Sequence, residues 1–109
     1  MATFIVTGNY TEKAVNGMIA QPSDRAAAVK PMVEAVGGKI ISYYATTGET
    51  DFMMVCEVGD GADMVPALMV AGASGTVANL KTVRAFSAAE FMAAQGKAAG
   101  IMAKFKPAG

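Results

Sequence analysis

Short apolar runs and stretches of helical spacing alternate along the chain. Thr3 to Tyr10 carries Phe4, Ile5 and Val6 ahead of the turn-forming "GNYT", which predicts a first strand. Thr11 then caps a short helical turn through Lys13, Ala14 and Val15. In "QPSDRAAAVKPMVEAVGGK", Ser23 reads as an N-cap with Asp24 in the first turn. Val29, Met32, Val33 and Val36 then recur at the i, i+3, i+4, i+7 spacing of an amphipathic helix. Gly37 and Gly38 end it, and Pro31, which lacks an N–H and crowds the preceding turn, predicts a kink.

Lys39 to Thr47, with Ile40, Ile41, Tyr43 and Tyr44, and Asp51 to Val58 form a hairpin around Gly48 to Thr50. After "GDGAD", Met64 to Ala73 is a helical run in which Asp63 is the cap and Pro66 falls in the first turn, where a missing N–H does little harm. Thr76 to Phe86 alternates, with Val77, Asn79, Lys81 and Val83 on one side and Ala78, Leu80, Thr82, Arg84 and Phe86 on the other, as a strand does. The "SAAE" of Ser87 to Glu90 has the spacing of a capping box and starts a last helix through Phe91 and Met92. We divide the chain into a domain over residues 1–95 and a tail over 96–109. The tail holds Lys97, Lys104 and Lys106 with Ile101, Met102 and Phe105, so it reads as an amphipathic helix extension or a loosely held terminus.

Strand, helix, strand, strand, helix, strand is the order of a ferredoxin-like α+β fold, an antiparallel four-stranded sheet with helices on one face. Such a sheet with one wet face should alternate apolar and polar residues, yet Phe52-Met53-Met54-Val55-Cys56 is apolar throughout. The simplest cover for the second face is the same face of a second copy, which gives a homodimer or higher oligomer with a barrel-like interior.

Composition narrows the function. The 109 residues are 53% hydrophobic and 17% charged, an apolar balance that excludes a disordered chain and leaves a surplus for an interface. Nine basic residues balance nine acidic ones, so no net field draws in nucleic acid or an anionic membrane. A lone Cys56 forms no internal disulfide, and the absence of His removes the usual imidazole metal ligand and base, so no metal and no cofactor are expected. No stretch approaches a membrane span and no signal-peptide pattern opens the chain, so a cytoplasmic location is expected.

"GNYT" after the first strand, "GGK" before the second, the "GETD" turn and "VRAFSAAEF" before the last helix together resemble the GYD-domain proteins over roughly residues 1–92. That resemblance implies a bacterial protein of the dimeric α+β barrel superfamily. Its members include cofactor-free monooxygenases, lactone isomerases, haem enzymes and ligand sensors, so it implies a fold more firmly than a reaction. The naming motif corresponds to Gly48, Glu49, Thr50 and Asp51, with Thr50 where the family has tyrosine.

Two residues are candidates for catalysis. Asp51, entering the third strand after the turn, is either a general base or an acceptor for turn amides. Arg84 either holds an anion bidentately or pairs with Asp51, Glu57 or Glu90. Candidates for ligand contact are Asn9, Tyr10, Tyr43, Thr50 and Met53, each with an ordinary structural alternative in turn or core. Adjacent Tyr43 and Tyr44 point to opposite faces, and the register decides which phenol goes where. Cys56, between apolar neighbours, reads as an inert buried thiol. The reading these residues support first is a small-molecule-binding barrel that self-associates through its sheet. Cofactor-independent monooxygenation or isomerisation of an activated carbonyl compound, and a structural assembly module, are the alternatives.

Overall fold

The computed structural model describes residues 1–59 and 63–108. In chain order the elements are β1 (Ala2–Tyr10), α1 (Glu12–Ala20), α2 (Arg25–Ala35), β2 (Gly38–Ala45), β3 (Phe52–Val58), α3 (Val65–Ala73), β4 (Val77–Ala85) and α4 (Ala88–Met102). The strands form one antiparallel sheet in the order β2-β3-β1-β4, the expected ferredoxin-like α+β arrangement. Most of the "GDGAD" loop lies outside the described residues.

Local chemistry accounts for most element ends. Thr11 caps α1 by accepting from the Ala14 N–H, and that helix runs a full nine residues rather than the single turn expected. The cap of α2 is Asp24, which accepts from the Ala27 N–H, one residue later than the expected Ser23. α2 continues through Pro31, and Gly37 beyond it takes φ +77, a left-handed turn that glycine enters without steric cost. The cap position of α3 is Met64, one residue later than the expected Asp63, which still accepts from the Val65 N–H, and both hydrogen bonds of the Ser87–Glu90 capping box are formed in α4.

The core lies between the sheet and α2 and α3. Val6, Phe52, Met54, Cys56 and Val58 reach it from the sheet, Val33 from α2 and Met64 from the approach to α3. Burial along β3 alternates strictly, with Phe52, Met54, Cys56 and Val58 inside and Met53, Val55 and Glu57 on the opposite face. Each fully buried aliphatic side chain here is worth roughly 1.5–3 kcal/mol relative to exposure. The opposite face carries Ile5 between Val55 and Val83, with Tyr44 beside Met53.

Two irregularities set which side chains reach the core. β2 advances from Ile40 opposite Cys56 to Ser42 opposite Val55, so Ile41 is an extra residue and the phase of the strand reverses. Tyr43 therefore faces the helices and Tyr44, 57% exposed, faces away. β4 carries a second shift, between the Thr7–Lys81 and Asn9–Ala78 pairs, where Asn79 takes φ +54. That shift brings Val77 against the core with Leu80, although simple alternation assigns them to opposite sides.

α4, like α1, has no buried residue and contributes nothing to the core, and the molecule reaches 60 Å in its longest dimension. It continues through Gly96 to Met102, so the first half of the tail is a helix extension, and Phe91, Met92, Ile101 and Met102 are all exposed.

Candidate functional site

Between the sheet and helices α2 and α3 lies a cavity of about 340 Å³. Its walls are apolar, with Val29 and Met32 from α2, Leu68 and Ala71 from α3, and Phe52 and Leu80 from the sheet. This volume falls at the lower end of the range that holds small organic ligands.

Polar groups are few. The Tyr10 and Tyr43 hydroxyls meet at 2.5 Å, one donating to the other, which leaves the acceptor's own proton available to a third group. The Phe52 ring supports both, its centroid 5.2 Å from the Tyr10 ring and 5.9 Å from that of Tyr43, with Tyr43 stacked nearly parallel. Burial, and then the hydrogen bond shared with Tyr10, push the Tyr43 phenol well above its ordinary range, while the Arg25 charge acts in the lowering sense. Tyr43 is consequently a neutral donor at any physiological pH. Gly8 makes room for this stack, because a Cβ at that position would come within 2.8 Å of the Phe52 ring.

Arg25, the first residue of α2, lines the cavity and also a neighbouring groove that contains Lys13 of α1. Its guanidinium donates to Ser23 Oγ at 3.3 Å. Among the described residues, no Asp or Glu lines the cavity or the groove.

The sequence candidates divide into separate clusters. Asp51 Oδ2 accepts from the Tyr10 N–H at 2.9 Å and from Asn9 Nδ2 at 3.2 Å. Asn9 also donates to the Glu49 carbonyl and accepts from Asn79, so this cluster ties the β2–β3 turn to the end of β1 and to β4. Thr50 belongs to the same turn, its carbonyl accepting from the Thr46 hydroxyl at 2.7 Å. Neither Asp51, Asn9 nor Thr50 lines the cavity. Met53 is on the opposite face of the sheet from it.

Arg84 sits at the other end of the sheet. It pairs across from Phe4, four residues along β1 from Gly8, where Asp51 is anchored, a separation of roughly 13 Å at the usual rise per strand residue. Its guanidinium donates to the Thr3 and Ala85 carbonyls, stacks over the Phe86 ring at 4.4 Å and pairs with Glu90 at 3.6 Å. The Ser87 N–H, with help from Arg84, holds the Glu90 carboxyl below its usual range. Asp51 and Arg84 therefore do not converge on one substrate atom. Cys56 is fully buried, and burial pushes its thiol up, which suits a packing role.

Arg25 is not among the sequence candidates, although one signal for it exists. A cation in the first turn of a helix opposes the helix dipole, so its placement calls for a reason outside the helix. Among the described residues, no group of three or more His, Cys, Asp or Glu is arranged to hold a metal, and no helix is long and apolar enough to cross a membrane.

A sequence profile of the GYD domain matches residues 4–94. No curated protein matches the chain in a sequence search. Among solved structures it is similar to that of TTHA0845 from Thermus thermophilus, with 18% identity and a TM-score of 0.47, covering 81% of this chain and 96% of that one.

Proposed function

The chain belongs to the GYD domain family, and from that premise we propose that it binds a small organic molecule in the cavity between the sheet and α2 and α3. The observation that carries this reading is the pairing of an apolar enclosure with two phenols inside it, Tyr10 and Tyr43, joined to each other by their hydroxyls. Apolar walls supply affinity, and a spare phenolic proton supplies orientation. The reading favours binding over turnover because the carboxylate of Asp51 is committed to the Tyr10 amide and Asn9.

Binding is tested with the neutral fluorophore N-phenylnaphthylamine. One bound probe per chain is expected, lost when Ala71→Trp fills the cavity from α3 while the far-UV circular dichroism is retained. No enhancement, or enhancement equal in that variant, refutes the cavity as a binding site.

Self-association through the other face of the sheet belongs to the same proposal. Val83 is 55% exposed there and Ile41 48%, beside Ile5 and Val55, an apolar strip that water disfavours. Burying it against a second copy accounts for the two-sided apolar character of β3. Sedimentation of the intact chain should give a dimer or larger, and Val83→Lys should lower the mass. A stable monomer of the intact chain at micromolar concentration refutes it.

A further inference from the structure

We infer that the ligand of this cavity is an amphipathic carboxylate, an apolar body with one acidic head, and that Arg25 selects the head at the junction of cavity and groove. This rests on the reading of the cavity as a binding site. Among the described residues, Arg25 is the one charged residue lining the cavity, and it also lines the neighbouring groove, where Lys13 adds a second positive charge. The two compartments thus present an apolar interior and a cationic exit, and Arg25 and Thr76 line both. With no carboxylate among the described residues of either lining, Arg25 has a neutral hydroxyl, that of Ser23, as its side-chain partner.

A guanidinium with a neutral partner retains donors in the planar fork that matches a carboxylate, and such charge-assisted bonds are about twice as strong as neutral ones. The phenol pair is consistent with the same guest. Tyr43, kept protonated by its burial, offers a proton donor and not a competing anion. A cationic guest would meet Arg25 and Lys13 with no described acidic side chain in either lining to hold it.

Decanoate, decanol and decylammonium are chain-matched probes for displacement of N-phenylnaphthylamine. Decanoate is expected to bind about tenfold more tightly than decanol, and decylammonium more weakly than either. The acid-to-alcohol ratio should fall toward one in Arg25→Gln and be largely restored in Arg25→Lys. An acid-to-alcohol ratio near one in the native protein, or a ratio unaltered by Arg25→Gln, overturns the acid assignment while leaving the cavity reading intact. Failure of the fluorophore itself to bind removes both.

Discussion

Replacing Asp51 distinguishes a scaffold role from a chemical one. In the native chain its carboxylate accepts from the Tyr10 amide at 2.9 Å and from Asn9 Nδ2 at 3.2 Å, both in partly buried surroundings. Hydrogen bonds to an ionised acceptor are worth roughly 1.5–3 kcal/mol each when buried. Partial exposure and the length of the Asn9 bond bring the pair to roughly 2–3 kcal/mol. Asp51→Ala removes both and orphans the Tyr10 amide, so the full loss is expected. Asp51→Asn keeps one acceptor oxygen and loses the charge, for a loss of about 1 kcal/mol. Urea unfolding at fixed protein concentration reads these as shifts in midpoint at constant slope, and the alanine variant should melt roughly 10–15 °C lower. If both variants remain within about 0.5 kcal/mol of wild type, the ordinary range for surface changes, the anchor role is refuted. If instead Asp51→Asn keeps its stability and loses fluorophore binding, the carboxylate belongs to the ligand site.

The raised Tyr43 and Cys56 groups set an alkaline limit. Both hold their protons in the fold to higher pH than in the unfolded chain, so the unfolded state loses protons first and gains stability relative to the fold. Their contribution is complete below about pH 8 and declines as pH rises beyond it, which urea midpoints across pH 7–11 would show. Cys56 should react with a thiol reagent at the rate of global unfolding, and rapid labelling of the folded protein would contradict its burial. Gly8→Val should displace the Phe52 ring and cost roughly 1–3 kcal/mol, with the near-UV aromatic signal altered. Because α4 has no buried residue, truncation after residue 95 should leave the melting temperature of a monomeric chain within a few degrees; light scattering that shows a smaller particle would assign the removed segment to assembly.

Much of this fold is legible in the sequence because its signals are local. Asp63 and the Ser87–Glu90 pair announce helix starts through side chains that bond amides two or three residues away. The apolar face of α2 follows from spacing alone, and Val33 from it is among the most buried residues. What the pattern misses is non-local or depends on a count. The bulges at Ile41 and Asn79 reverse the phase of their strands; asparagine, which enters the left-handed region more readily than most residues, is a faint signal at the second, and nothing in the residue type signals the first. The α1 helix runs past its expected single turn, anchored through Thr11 to Gly75 and Thr76 near the start of β4, a contact made across the chain. The cavity itself depends on how far α2 and α3 stand from the sheet, a tertiary distance with no local signature. Its charged residue, Arg25, is marked in the sequence only by being a cation in the first turn of a helix, which does not say what it faces.

The bulge at Ile41 also bears on how this protein tolerates change. Gain or loss of one residue in β2 exchanges the side chains offered to the two faces of the sheet, and in most strands that would empty a site of its chemistry. Here Tyr43 is followed by Tyr44, so a slip by one position substitutes one phenol for another opposite Tyr10. A phenol thus stands at either phase of the strand, Tyr43 toward the cavity and Tyr44 toward the far face.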